Sequence, residues 1–308
     1  GYEFGFDKLD RWIDMCRRCG IKYFEMSHLF TQWGAEHAPK IVAEVDGEKK
    51  RIFGWETDAD SEEYRDFLRR FAAALTAFID RKGIRNFCRF HVSDEPSLEQ
   101  YEVYKKRADL IAEIFPGFKV IDALSDIEFF DKGAVKYPIP SEDHVEDFVG
   151  KVDEFWTYYC CGQHNKNVPN RFFAMPSARN RILGTLLYKY NATGFLQWGY
   201  NYWYSQFSKH EIDPFTVTDA GKAFPSGDAF VVYPGEDGHP INSLRFKVFY
   251  DGLQDLAAMR LLESLVGREK ALEIAVQDDE LTFQKYPHGS SYLLALRERV
   301  NKAIKENI

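Results

Sequence analysis

Two adjacent carboxylates, Asp94 and Glu95, are the residues of this chain best placed to do chemistry. They follow residues 85–92, a short aromatic-rich run that predicts a strand, and Pro96 then predicts that the chain leaves the sheet. A strand-to-helix loop is where active sites lie in a (β/α) fold. Because neighbouring carboxylates repel, one of them holds its proton longer, as a general acid requires. The alternative is a pair of acids that only favours the dipole of the next helix.

The elements that would position these acids alternate between helices and strands. Apolar residues at three-to-four spacing predict the helices, and short apolar runs bounded by turn residues predict the strands. Residues 27–60 are expected to form a long loop. The predicted helices cover residues 7–19, 61–81, 97–115, 177–189 and 242–265, with a possible break near Gly252, and two more in 268–308. The predicted strands cover residues 22–26, 85–92, 118–123, 155–159, 194–199 and 229–233.

Six strands alternating with helices predict an α/β protein with a parallel sheet. A closed (β/α)8 TIM-type barrel needs eight strands, so we expect a barrel whose first two strands lie upstream of Gly1. An open doubly wound sheet is the alternative, although no glycine-rich dinucleotide fingerprint follows a strand. We expect a catalytic barrel domain over residues 1–266 and a C-terminal helical extension over residues 267–308 that packs on it.

Composition restricts the class of partner. The net charge of −8 argues against nucleic acid, and no apolar run is long enough to span a membrane. The aromatic content of 16% suits carbohydrate, whose apolar ring faces stack on aromatic rings. The odd count of five cysteines favours a cytoplasmic location without fixing it. Cys16 and Cys19 form a lone CxxC without a second pair, so we expect Cys16 in the core, no metal site and no cofactor.

Polar and aromatic residues suited to a sugar site follow several predicted strands. They are expected to share one edge of the sheet, because the carboxyl ends of parallel strands meet there. The candidates for substrate contacts are His28, Trp33, His91, Tyr158, Trp198, Asn201 and Trp203.

Four separated segments resemble the catalytic domain of glycoside hydrolase family 123. They are LFTQWGAEHAPK (residues 29–40), FHVSDEPS (90–97), GFLQWGYNYW (194–203) and DGLQDLAAMRLLE (251–263). The resemblance spans roughly residues 5–265. It implies a TIM-type barrel preceded by a β-sandwich region, and a retaining β-N-acetylgalactosaminidase acting on glycans with a terminal β-linked 2-acetamido sugar.

The resemblance also implies substrate-assisted catalysis, in which the 2-acetamido oxygen of the sugar attacks the anomeric carbon. Asp94 would then orient the acetamido group, and Glu95 would be the general acid and base. A tyrosine that assists the acetamido oxygen would be Tyr158, Tyr159, Tyr200 or Tyr202, of which we favour Tyr202. Two alternatives stay open: activity on another 2-acetamido sugar such as a β-N-acetylglucosaminide, and a carbohydrate-binding barrel without turnover.

Overall fold

The computed structural model describes residues 1–277 and 280–308, which divide into a first unit, Gly1–Ile139, and a second unit, Pro140–Ile308. In chain order the first unit contains α1 (Asp7–Arg18), β1 (Phe24–Glu25), β2 (Ile41–Val45), β3 (Glu48–Phe53), α2 (Glu62–Lys82), β4 (Cys88–Phe90), α3 (Tyr101–Ile114), β5 (Lys119–Ala123), α4 (Glu128–Asp131) and β6 (Tyr137–Ile139). The second contains β7 (Trp156–Tyr158), α5 (Ser177–Arg181), α6 (Leu183–Lys189), β8 (Gly194–Leu196), β9 (Val232–Pro234), β10 (Pro240–Asn242), α7 (Leu244–Val266), α8 (Arg268–Ala275) and α9 (Ser290–Asn307).

The first unit has a parallel sheet in the order β1–β4–β5–β6. Three of these strands were predicted, but β4 is shorter than expected because Arg85–Phe87 form a 3₁₀ turn before it. The short strand β6 was not predicted, since it has only three residues and one of them is proline. A capping box precedes α3, in which Gln100 Oε1 accepts a hydrogen bond from Ser97 N–H (2.9 Å).

The helix α2 supplies much of the core of this unit. Its residues Tyr64, Leu68 and Leu75 are buried at helical spacing, and Gly83 ends it in the left-handed conformation with φ +69°. Cys16 of α1 is buried in the same core, as predicted.

The expected loop over residues 27–60 is partly wrong, because β2 and β3 form an antiparallel hairpin within it. Asp46 and Gly47 connect the strands with φ values of +56° and +81°. An Asp-Gly pair between two strands is a strong hairpin signal, so the sequence did carry this information.

In the second unit β7 and β8 form a parallel pair, and Ser141 adds a parallel bridge to Tyr158. The prediction that residues 229–233 form another parallel strand is wrong. Residues 232–234 are β9, which pairs antiparallel with β10. The helix α7 continues through Gly252 without a break, so the expected interruption there is also wrong.

Gly252 instead permits a close approach of two helices. A Cβ atom at Gly184 of α6 would lie 1.8 Å from the carbonyl oxygen of Gly252, so α6 and α7 touch through backbone. The predicted C-terminal helices α8 and α9 pack against α7 within the same unit. The predicted domain division at residue 266 stays a prediction.

The fold is therefore a mixed α/β fold with parallel strands, as predicted. The parallel sheet of the first unit has four strands. Within residues 1–277 and 280–308, no helix combines the length and the apolar character that crossing a membrane requires.

Candidate active site

The loop after β4 carries Asp94 and Glu95, and its backbone is held from two sides. The carbonyl of Asp94 accepts a hydrogen bond from Trp33 N–H (3.2 Å), and Glu95 N–H donates to the carbonyl of Ala123 at the end of β5 (3.0 Å). Glu95 has a φ of +46°, which is uncommon for a residue with a side chain. Such conformations persist where surrounding contacts impose them, and they cluster at functional sites.

The two neighbouring carboxylates occupy different environments. Asp94 is partly buried and its Oδ2 accepts a hydrogen bond from Gln32 Nε2 (3.1 Å), whereas Glu95 is exposed. Burial and then the negative charge of Glu95 raise the pKa of Asp94 to about 6, against the opposing effect of the Gln32 bond. The acid with the raised pKa is thus Asp94, whereas the resemblance assigns the role of general acid to Glu95.

Trp33, a predicted substrate contact, lies beside this loop with 51% of its surface exposed. Its backbone has a φ of +56°, and its carbonyl accepts a hydrogen bond from Gln100 Nε2. The next residue must be glycine, because a Cβ atom at Gly34 would lie 2.7 Å from Gln100 Nε2 and its φ is +116°.

A chain of charged side chains crosses the neighbouring strands. Asp122 is fully buried in β5 and accepts hydrogen bonds from Val92 N–H (3.0 Å) and from the Tyr104 hydroxyl (2.5 Å). Its Oδ1 lies 3.4 Å from His91 Nδ1, and His91 Nε2 lies 2.6 Å from Oε1 of Glu25. The chain thus begins inside the sheet and ends at Glu25, the last residue of β1, whose side chain is 51% exposed.

These contacts determine the protonation states of His91 and Glu25. Burial lowers the pKa of His91, but the bonds to Asp122 and Glu25 outweigh it and raise that pKa to about 10. Burial raises the pKa of Glu25, but the bond from His91 outweighs it, and the net shift is downward. His91 is therefore an imidazolium facing two carboxylates at neutral pH. A direct contact between His91 and a substrate, as predicted, would need one of these ion pairs to open.

His28 stacks on His91 with ring centroids 4.6 Å apart and planes inclined by 12°. Burial and the positive charge of His91 lower the pKa of His28, so its ring is neutral. Nitrogen and oxygen atoms of Glu25, His28 and His91 lie within 4.8 Å of one another, which is close enough to consider a metal centre. However, imidazole lone pairs lie in the ring plane, and two stacked parallel rings cannot both direct them at one ion. This arrangement suits a stacked histidine pair better than a metal centre.

In the second unit, the predicted aromatic residues lie on the loop that follows β8. Trp198 is 41% exposed, and its Nε1 donates a hydrogen bond to Oδ2 of the fully buried Asp228 (3.0 Å). Burial raises the pKa of Asp228 to about 6, although the Trp198 bond and the charge of Arg171 oppose the shift. The indole is therefore fixed by one edge while much of its surface stays open to solvent.

The buried guanidinium of Arg171 holds the start of this loop. Its Nη2 donates to Gln197 Oε1 (2.6 Å), to the carbonyl of Asp228 (3.0 Å) and to the carbonyl of Gly199. A Cβ atom at Gly199 would lie 2.6 Å from the carbonyl oxygen of Ala229, so glycine is required where the two backbones meet.

Tyr202, the predicted partner of the acetamido group, has its hydroxyl engaged within its own loop. It donates to the carbonyl of Ser205 (2.9 Å) and accepts from Ser208 N–H (2.9 Å). Phe207 and Ser208 have φ values of +60° and +53°, so this bond braces a strained turn. A contact with substrate through the hydroxyl proton would have to replace the bond to Ser205.

The other three candidates of this unit differ in accessibility. Asn201 is exposed and its backbone forms a bridge with Phe230. Trp203 is partly buried, and its Nε1 donates to the carbonyl of Val232 (3.0 Å). Tyr158, in β7, is only 5% exposed. Of the three, Asn201 has the side chain most open to solvent.

Several residues that organise these loops were not among the sequence candidates. They are Glu25, Gln32, Asp122, Arg171 and Asp228. Glu25 and Asp122 each place a single acid inside an apolar strand sequence, which is a signal that the side chain has a partner. Gln32, Arg171 and Asp228 lie in irregular segments whose sequence carries no comparable signal.

Comparison with known proteins identifies the family of the chain. The family model described as glycoside hydrolase 123, catalytic domain, matches residues 1–262. A similar solved structure is that of a family 123 glycoside hydrolase from Clostridium perfringens, analysed for glycolipid glycan hydrolysis. It has a TM-score of 0.67 and 16% sequence identity, which shows likeness of fold. The match covers 99% of this chain and 55% of that protein, so the chain spans about half the length of that protein.

The search among curated proteins finds no match. The family match nevertheless covers most of the chain, includes the loop with Asp94 and Glu95, and agrees with the fold of the similar structure. The chain belongs to glycoside hydrolase family 123, and residues 1–262 are its glycoside hydrolase catalytic domain.

Proposed function

We propose that this domain is a retaining exo-β-N-acetylgalactosaminidase that uses the 2-acetamido group of its substrate as the nucleophile. The observation that carries the proposal is the contrast between Asp94, which is partly buried and bonded to Gln32, and Glu95, which is exposed. Adjacent residues with different environments suit two carboxylates that act on different atoms of one sugar. A conventional retaining pair faces each other across the scissile bond about 5 Å apart instead.

In the first step the acetamido carbonyl oxygen attacks the anomeric carbon, and the bond from that carbon to the leaving oxygen breaks. Asp94 accepts a hydrogen bond from the acetamido N–H, which orients the group and stabilises the positive charge of the oxazolinium ion. This role requires the ionised form of Asp94. Its raised pKa of about 6 therefore predicts that turnover declines as the pH falls below that value.

Glu95 gives its proton to the leaving oxygen in the first step. In the second step it takes a proton from the water that attacks the anomeric carbon, and the acetamido group is regenerated. The exposure of Glu95 suits exchange of this proton with solvent.

The remaining assignments follow the same scheme. Trp198 or Trp203 forms the wall against the acetamido methyl group, and Tyr202 assists the acetamido oxygen. His28, Trp33, Tyr158 and Asn201 are the further substrate contacts, and His91 would join them only if one of its ion pairs opened. We also propose a (β/α)8-type barrel as the fold of the catalytic domain, with the parallel sheet β1–β4–β5–β6 of the first unit as part of it.

The first experiment measures hydrolysis of a panel of 4-nitrophenyl glycosides. We expect turnover of the β-N-acetylgalactosaminide, weaker turnover of the β-N-acetylglucosaminide and none of the plain β-galactoside, which lacks the nucleophile. A galacto-configured thiazoline resembles the bicyclic intermediate and should inhibit far more tightly than N-acetylgalactosamine. Hydrolysis of the plain β-galactoside at a comparable rate would contradict the mechanism.

The second experiment tests Glu95 by its dependence on the leaving group. Glu95→Gln should lower turnover roughly 10²–10⁴-fold on substrates with poor leaving groups, and much less on activated aryl glycosides that need little protonation. Glu99→Gln, a nearby exposed glutamate, is the matched control and should leave both rates unchanged. An equal loss on both substrate types would rule out the acid role of Glu95.

A further inference from the structure

The carboxylate of Glu25 is the last member of the series of charged side chains Asp122, His91 and Glu25. It lies at the end of β1, and the proposed catalytic loop follows the neighbouring strand β4. Glu25 is the last residue of β1 and pairs with Arg89 of the neighbouring strand β4, two residues before His91. His91 also acts on Asp94: its charge is among the smaller influences on the pKa of Asp94, after burial. Glu25 therefore adds an anionic group to the end of the sheet at which the loop with Asp94 begins.

Burying the charged side chains of Asp122 and His91, which connect to Glu25, costs folding free energy. Asp122 is fully buried and the His91 side chain is 2% exposed, so both lose the hydration of a charge. Well-packed apolar residues in place of a buried ion pair are often as stable or more stable. Buried charges with strongly perturbed pKa values concentrate at functional sites. The series of charged side chains from Asp122 through His91 ends at the accessible carboxylate of Glu25.

We propose that Glu25 binds a ring hydroxyl of the sugar, on C3 or C4, and so helps to select the sugar; this inference rests on the proposed function. An ionised carboxylate only accepts hydrogen bonds, and sugar hydroxyls are the donors it would meet. His91 Nε2 lies 2.6 Å from one oxygen of this carboxylate, so an ion pair holds the group at the end of β1 before a sugar arrives. C3 is bonded to the acetamido-bearing C2, and C4 is bonded to C3. The C3 hydroxyl is therefore next to the group assigned to Asp94, and the C4 hydroxyl is one ring carbon further away.

The consequence is selectivity. A site that pairs with a substrate hydroxyl discriminates against an analogue that lacks this hydroxyl, because the hydrogen bond is not formed. The C4 hydroxyl is axial in N-acetylgalactosamine and equatorial in N-acetylglucosamine, so a bond to C4 would make Glu25 a residue that distinguishes the two sugars.

The test is a cycle of one substitution and two altered substrates. The full chain and its Glu25→Gln variant are assayed for kcat/KM on 4-nitrophenyl β-N-acetylgalactosaminide and on its 3-deoxy and 4-deoxy analogues. Glu25→Gln should lower kcat/KM on the parent substrate about 10–100-fold, as expected for loss of a hydrogen bond to a charged group. On one deoxy analogue the variant and the original chain should be nearly equal, and that analogue names the hydroxyl. Glu113→Gln, an exposed glutamate of α3, is the control and should match the original chain on every substrate.

Equal losses of the variant on all three substrates, or no loss on the parent, would overturn the inference. If the original chain turns over none of the glycosides, the proposed function fails, and the cycle is then run on dissociation constants of the free sugars by NMR titration. A hydroxyl-specific difference in binding would still support Glu25 as the contact. Equal binding of the three sugars by the original chain would refute it.

Discussion

Replacing Asp94 by asparagine tests whether the site stores unfavourable electrostatic energy. Asparagine has nearly the same shape and can still accept the hydrogen bond from Gln32, but it carries no charge. The variant should lose turnover, because a neutral amide cannot stabilise the positive oxazolinium ion. It should nevertheless be more stable than the original chain above pH 6.

The sign and magnitude follow from the raised pKa. An unfolded aspartate titrates near 3.9, and Asp94 in the folded protein has a pKa of about 6. Between these values the folded state binds more protons than the unfolded state, so stability falls as the pH rises through this window. Two pKa units correspond to a ceiling of about 3 kcal/mol at pH 8. Because Asp94 is partly exposed to solvent, we expect about 1–2 kcal/mol.

The measurement is urea unfolding of both proteins between pH 4.5 and pH 8. The difference in free energy of unfolding should be small at pH 4.5 and should grow in favour of the Asp94→Asn variant until about pH 7. Asp109→Asn is the control, since the Asp109 side chain is 65% exposed and pairs with Lys105 on the same helix. A difference that stays constant with pH, or a variant that is less stable at pH 8, would refute the electrostatic reasoning.

Two further substitutions test the framework of the two units. Tyr104→Phe removes the hydroxyl bonded to buried Asp122 and should cost about 1.5–3 kcal/mol in urea unfolding; a loss below about 0.5 kcal/mol would contradict the importance of this bond. Gly184→Ala would place a Cβ atom 1.8 Å from the carbonyl oxygen of Gly252 and should cost about 3 kcal/mol or more in thermal unfolding. In the control Gly5→Ala the added Cβ atom meets no atom of the described residues within 4 Å, so the substitution should have little effect. Equal unfolding temperatures for the two variants would exclude the close helix contact.

Helices were predicted well because their signal is local. The helix expected over residues 61–81 is observed at Glu62–Lys82, and the helix expected over 242–265 is observed at Leu244–Val266. In each case a run of about twenty residues repeats its burial pattern every three to four positions, or lacks any strong breaker. Tertiary packing adds features that this local signal does not contain. One is the close approach of two helices at Gly252, where the sequence had predicted a break in the helix.

Strand partners were harder to predict, because direction and pairing depend on distant parts of the chain. Residues 229–233 have the composition of a buried strand, and composition does not distinguish a parallel from an antiparallel partner. Pro234 and Pro240 flank the connection between β9 and β10 and were the available hint of a short hairpin. The strand β6 consists of three residues, which is too short for any periodicity to be recognised.

The site residues also differ in how well the sequence predicts them. Asp94 and Glu95 could be predicted because they are adjacent in the sequence and follow a recognisable strand. The route from Asp122 through His91 to Glu25 joins three strands, and no sequence spacing relates its members. One physical argument was still available: a lone acid within an apolar strand is too costly to bury without a partner. Applied to Asp122, on the predicted strand that follows the one leading to His91, this argument requires a partner for a buried acid. His91, at the end of that preceding strand, is a residue that could be this partner.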